Sequence, residues 1–130
     1  MATVPFELEV ETAIVAPRGW TLGPMIASGG TSVVYALDRG ANQAVLKWGR
    51  WRDRDIRARF ASEAEVLRVL GGTAAPALFE EAAPADWPAL VIERIAGETL
   101  AAWMARTGDR GGIGEILALL VRLATALHAV

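Results

Sequence analysis

The first half of the chain alternates apolar and polar positions in short runs, the pattern of β-strands with one buried face. One run covers residues 6–11 and predicts either a strand or a tail lying on the domain. Two extended segments within residues 20–36 are separated by Ser28, Gly29 and Gly30, which predicts a hairpin with a small tip. A turn pattern at 38–42 precedes another extended run at 43–48. Three consecutive antiparallel strands are predicted.

The hydrophobic period changes after residue 53. Ile56, Phe60, Leu67 and Leu70 fall on one helical face, which predicts a helix over 53–70 that ends at the following glycines. Further strands are predicted at 78–82 and 89–93, and helices at 99–106 and 113–130, separated by a glycine-containing loop. The predicted fold class is therefore α+β, with a five-stranded antiparallel sheet, one helix on it, and two helices after it.

Composition excludes several classes of protein. Apolar residues make up 53% of the chain and charged residues 22%, as in a globular domain. A net charge of -2 does not produce an electrostatic field that would attract nucleic acid or an anionic membrane. With no cysteine and one histidine, a metal site is not expected. Acidic residues near the N-terminus do not fit an export signal, so a cytoplasmic location is expected. Charges inside 113–130 favour a buried helix over a membrane span.

Two charged residues stand where apolar ones are expected. Glu63 lies within the apolar stripe of the 53–70 helix, whereas Glu65 faces solvent, and Lys47 lies inside an apolar strand. A carboxylate facing a core requires a cation, so the sequence predicts that Lys47 and Glu63 pair. The alternative is that Glu63 sits at the edge of the stripe and Lys47 extends to water.

The small residues between the first two strands offer a place for a ligand. Their short side chains and free backbone amides let the main chain approach a polyphosphate. Most Gly-Gly hairpin tips are only turns. Followed in order by Lys47 and Glu63, however, this tip predicts phosphate binding.

From about residue 20 to residue 130 the chain resembles the N-terminal lobe of a protein kinase, of the bacterial serine/threonine type. Residues 26–34 are similar to the glycine-rich loop G-x-G-x-x-G-x-V, with Gly29 at the central glycine and Ala27 and Ser32 at the outer ones. Residues 44–47 resemble V-A-I-K. The resemblance implies that Lys47 contacts the α- and β-phosphates of ATP and pairs with Glu63.

The same resemblance implies a complete nucleotide site. Residues 27–32 would cover the phosphates, Ile92 would be the gatekeeper, and residues 93–97 would be the hinge between lobes. The implied cofactor-binding residues are Ile26, Ala27, Ser28, Gly29, Gly30, Thr31, Ser32, Val34, Val45, Lys47, Ile92, Glu93 and Ile95. Among them, Ile26, Val34 and Val45 would cover adenine. Glu93 and Ile95 would offer it a backbone carbonyl and a backbone amide.

The resemblance also implies a domain plan. Residues 1–18 form an extension or extra strand, 19–97 the N-lobe with hinge, and 98–130 the first two C-lobe helices. The catalytic loop H-R-D-x-x-x-x-N and the D-F-G motif do not occur, so a kinase fragment that is inactive alone is expected. No metal ligand is expected in these residues, and Mg²⁺ is expected only in a full-length enzyme. The lone His128 is expected to be structural.

The expected partners are a nucleotide, a protein substrate, and either the rest of the C-lobe or a partner chain over the apolar last helix. Two other functions stay open. A small-molecule phosphotransferase of the aminoglycoside or choline kinase type has a similar lobe, although residues 34–35 and 44–47 favour a protein kinase. The second open function is that of a kinase-like module that binds a partner without catalysis.

Overall fold

A computed structural model describes residues 15–107 and 112–128 of the chain. The strand expected at 6–11 lies outside these residues. Short 3-10 helices occur at Ala16–Arg18 and Pro84–Asp86. The strands are β1 (Thr21–Ser28), β2 (Ser32–Arg39), β3 (Asn42–Gly49), β4 (Leu78–Ala82) and β5 (Ala89–Glu93), and the α-helices are α1 (Arg54–Leu70), α2 (Leu100–Thr107) and α3 (Gly112–His128).

The five strands form one antiparallel sheet in the order β1-β2-β3-β5-β4, which confirms the predicted fold class. A two-residue turn joins β2 to β3, so that Arg39 pairs with Asn42. The turn begins with Gly40, whose φ of 60° is one that residues with a side chain rarely adopt. This turn fixes the register along the whole hairpin and places Gly49 opposite Ser32.

Each face of the sheet carries its own apolar cluster, as the alternation along the strands requires. One face buries alternate residues of β2 and β3, centred on Leu37, Leu46 and Trp48. Val15, which the sequence assigns to the extension, is buried in this cluster. Helix α1 covers the opposite face, where its residues Ile56, Phe60, Ala64 and Leu67 pack with Leu90 and Ile92 of β5.

The ends of α1 follow from two local features. Asp53 is the N-cap, and its carboxylate accepts a hydrogen bond from the backbone N–H of Ile56 at 2.9 Å. At the other end the N–H of Gly71 donates to the carbonyl of Leu67 at 2.7 Å. A Cβ at position 71 would collide with that same carbonyl oxygen, so the chain can leave the helix here only with glycine.

The described chain divides into two compact units, and the division falls between Arg94 and Ile95. The second unit contains α2 and α3. Thr99 caps α2, accepting a hydrogen bond from the N–H of Ala102 at 3.0 Å. A hydrogen bond from Arg106 holds the pKa of the Glu98 carboxyl below its ordinary value. Among the described helices, none combines the length and apolar character needed to cross a membrane.

Candidate functional site

Lys47 and Glu63 form an ion pair on the α1 face of the sheet. Lys47 Nζ lies 2.6 Å from Glu63 Oε2 and 5.6 Å from the centroid of the Phe60 ring. The two side chains are 28% and 35% exposed, whereas Glu65 lies on the solvent side of the helix. The structure thus brings together the two charges that interrupt the apolar pattern, and the pair is half-buried.

The strand register places further predicted residues beside this pair. Directly opposite residues of antiparallel strands point to the same face of the sheet. Val34 of β2 and Leu90 of β5 both lie opposite Lys47, and Val45 lies opposite Ile92. Because Leu90 and Ile92 pack against α1, Val34 and Val45 lie on the α1 face too. One surface of the sheet therefore carries an apolar patch next to a lysine ammonium.

The tip of the first hairpin is open to solvent. Residues 28–31 are exposed, and the N–H of Gly29 donates to the carbonyl of Ser32 at 2.8 Å, which closes the turn. Neither Gly29 nor Gly30 is among the glycines with a positive φ. A Cβ at Gly30 would meet nothing within 4 Å, and one at Gly29 would be in ordinary contact with Ser32. The fold itself therefore does not require glycine at either position.

Ile26 and Ala27 lie at an irregularity of β1. The register moves from Met25 opposite Tyr35 to Ala27 opposite Val34, so Ile26 is the extra residue of a β-bulge. Its side chain is 46% exposed. Ala27 lies on the same face as Val34 and Lys47. The bulge leaves a large apolar side chain accessible immediately before the glycine-containing tip.

The residues expected at the hinge fall in both units. In the first unit, Glu93 N–H donates to the carbonyl of Ala77 at 2.9 Å, and Ala77 N–H donates to Glu93 Oε1 at 3.0 Å. The Glu93 side chain is thus engaged with the chain leading into β4. In the second unit, Ile95 has a 60% exposed side chain. The sequence assigned only backbone roles to Glu93 and Ile95.

Arg50 is a further residue at the tip, and the sequence interpretation missed it. Its Nε donates to the carbonyl of Gly29 at 2.6 Å, its Nη2 donates to Ser28 Oγ, and its backbone N–H donates to the carbonyl of Thr31 at 2.9 Å. The pattern of apolar and polar positions does not signal this contact, because the contact depends on the register of the β2–β3 hairpin, which brings the end of β3 beside the tip.

One cavity of the structure lies in the second unit and does not coincide with this site. The cavity of about 520 Å³ in the second unit is lined by residues of α2 and α3 and by Glu98 and Thr99. None of the residues predicted for the nucleotide site lines it. Within residues 15–107 and 112–128, no three His, Cys, Asp or Glu side chains are grouped so that they could hold a metal ion.

No protein-family profile and no curated protein sequence matches the chain. Solved structures do match. A double mutant of the Mycobacterium tuberculosis PknI kinase domain superposes with a TM-score of 0.67 at 22% identity, covering 85% of this chain and 47% of that one. The PknI kinase domain without those substitutions gives a TM-score of 0.61 at 23% identity, covering 84% of this chain and 46% of that one.

This chain therefore spans about half the length of the kinase domains that it matches. At this level of identity the likeness concerns the fold. The five-stranded antiparallel sheet, helix α1 and the helices after it have the fold of a protein kinase N-lobe with the first helices of the C-lobe.

Proposed function

We propose that this chain is the ATP-binding lobe of a serine/threonine protein kinase, an enzyme that transfers the γ-phosphate of ATP to protein hydroxyls. The observation that carries the proposal is the Lys47–Glu63 ion pair, which lies on the α1 face of β3. The carboxylate of Glu63 holds the half-buried Lys47 ammonium in position, and a cation fixed in position is suited to bind a phosphate.

The glycine-containing tip supports the same proposal. The fold does not require glycine at position 29 or 30. Small residues at these positions would instead let a ligand approach the main chain closely. The backbone amides and the space at the tip suit a polyphosphate. Ala27, Ser28, Thr31 and Ser32 would complete the part of the loop that covers it.

The remaining residues would hold the base. Ile26, Val34 and Val45 would cover adenine with apolar surface, and Ile92 would limit the depth of the slot. Glu93 and Ile95 would hydrogen-bond the edge of adenine through the backbone. Mg²⁺ would neutralise the phosphates, held by ligands of a catalytic half that these 130 residues do not contain, since neither H-R-D nor D-F-G occurs in them.

The direct test is thermal unfolding of the chain with and without ATP. A ligand that binds only the folded state, present at 100 times its dissociation constant, stabilises by about 2.7 kcal/mol. We expect ATP to raise the melting temperature of the wild type and of Glu65→Ala by several degrees, and to leave that of Lys47→Met unchanged. Each variant is compared with itself without ATP, so a general loss of stability does not interfere. Equal ATP-induced shifts in Lys47→Met and the wild type would refute the proposed role of Lys47.

A further inference from the structure

Arg50 contacts three of the four residues of the hairpin tip at 28–31. Its side chain donates to the carbonyl of Gly29 and to the hydroxyl of Ser28, and its backbone N–H donates to the carbonyl of Thr31. The three bonds join the first residue after β3 to the last residue of β1 and to the loop that follows it. The end of one hairpin is thereby fastened to the tip of another.

Apart from the pairing of Ser28 with Val33 in the β1–β2 ladder, the tip has little else to hold it in one conformation. Residues 28–31 are exposed, and a Cβ at Gly30 would have no neighbour within 4 Å. Two adjacent glycines give the backbone a wide choice of conformations, and a segment with few packing contacts opens easily. The bond between Gly29 N–H and the Ser32 carbonyl closes the turn, and the Arg50 bonds attach that turn to the sheet.

The attachment depends on the shape of the guanidinium group. Nε and Nη2 donate to two acceptors on neighbouring residues, the Gly29 carbonyl and the Ser28 hydroxyl. Arginine offers such paired donors in a fixed plane, whereas lysine offers a single ammonium on a flexible stem. Replacement of Arg50 by lysine would keep the charge and lose the paired geometry.

We propose that Arg50 is a positioning residue for nucleotide phosphates: it holds the tip at 28–31 in one conformation, so that the amides of the tip meet the phosphates already ordered. This proposal rests on the proposed function of the site. Arg50 acts through Ser28 and Gly29, and a ligand without phosphates does not depend on it.

The test measures the tip and the ligand separately. Amide hydrogen exchange at Gly29 and Arg50 reports the conformation of the tip, and calorimetric titration gives the dissociation constants of ATP and adenosine. The variants are Arg50→Ala, Arg50→Lys, Ser28→Ala and the Arg50→Ala/Ser28→Ala double mutant. Arg54→Ala removes an equal charge from a nearby exposed position at the start of α1 and is the matched control.

We expect Arg50→Ala and Arg50→Lys to accelerate exchange at the tip and to weaken ATP binding, each by about tenfold, with adenosine binding within about twofold of the wild type. Ser28→Ala should weaken ATP binding in the wild-type background and should weaken it clearly less when Arg50 is already alanine. Arg54→Ala should leave exchange and both affinities unchanged.

Three results would overturn the proposal: unchanged exchange in Arg50→Ala, equal losses for ATP and adenosine, or additive effects of the Arg50 and Ser28 substitutions. Additive effects would mean that Arg50 acts independently of Ser28. Failure of the proposed function gives a different pattern, in which the wild type binds no ATP although Arg50→Ala still accelerates exchange. If the wild type binds ATP in a Lys47-dependent manner while Arg50→Ala changes neither exchange nor affinity, only the role of Arg50 is refuted.

Discussion

The pairing of Lys47 with Glu63 is a feature of single residues that could be predicted from the sequence. A charge inside an apolar pattern is destabilising without a partner, and the strand and the helix each contain one such charge. The 2.6 Å contact agrees with that reasoning. What the pattern could not give is the degree of burial, because exposure depends on how α1 packs on the sheet.

We predict that Glu63→Gln lowers the free energy of unfolding by about 1 kcal/mol, because the half-buried Lys47 ammonium loses its counter-charge. The matched substitution Glu65→Gln, on the solvent side of the same helix, should change it by less than about 0.5 kcal/mol. Urea unfolding of both variants measures the difference. Equal destabilisation would show that the pair contributes nothing to folding.

Two glycines should respond in opposite ways to alanine. Gly30→Ala meets no neighbouring atom and should leave stability unchanged or raise it by about 0.4–1 kcal/mol, while it weakens ATP binding by crowding the tip. Gly71→Ala collides with the Leu67 carbonyl and should destabilise by about 1–3 kcal/mol. Urea unfolding and ATP titration together separate the two roles. A destabilised Gly30→Ala protein with normal ATP affinity would contradict the proposal that the tip binds the phosphates of ATP.

At the scale of elements, the predicted bounds of a strand agree closely with the observed ones where proline or glycine residues interrupt the chain. The predicted strands at 78–82 and 89–93 have the bounds of β4 and β5, since proline and glycine residues limit these runs on both sides. The order of the strands was not predicted. It could have been approached from the residue types, because β5 has four consecutive apolar residues, which indicate a central strand, whereas β4 carries Glu80 and Glu81, which suit an edge strand.

The β1 bulge and the Arg50 contacts could not be predicted from the pattern of apolar and polar positions. A bulge adds one residue without changing composition, so periodicity alone does not locate it. The two side-chain bonds of Arg50 join residues more than twenty positions apart along the chain, and they can be inferred only after the register of two hairpins is known. Tertiary geometry determined both features.

Helix α1 should depend on its N-cap. Asp53→Ala removes the acceptor for the Ile56 N–H and should lower the free energy of unfolding by about 1 kcal/mol. Asp55→Ala, also at the start of α1 but outside that bond, should have a smaller effect. Thermal or urea unfolding measures both. If Asp55→Ala proved the more damaging substitution, the helix would not begin where the cap indicates.

At the scale of the whole molecule, the second unit presents an apolar surface. On α3 the exposed large apolar residues are Leu117, Leu119, Leu120, Val121 and Leu123. So many neighbouring exposed leucines indicate a surface that other protein covers. In the proposed kinase, that cover would be the rest of the C-lobe.

The 130-residue chain should therefore self-associate as its concentration rises. Introducing charge with the Leu117→Lys/Val121→Lys double substitution should keep it monomeric without lowering its melting temperature, because both side chains are exposed. Val69→Lys, an exposed apolar position on α1, is the control and should leave association unchanged. Sedimentation velocity at increasing concentration gives the result. A wild-type chain that stays monomeric throughout would contradict this prediction.

The central claim, that ATP binds beside Lys47 and under the glycine-containing tip, is tested most directly by titrating ATP into the isotopically labelled chain and following the backbone amide resonances. We predict that the largest shifts fall at residues 26–34, at Val45 and Lys47, and at residues 93–95. Shifts confined to other parts of the molecule, or no shifts at millimolar ATP, would contradict the assignment of this surface as a nucleotide site.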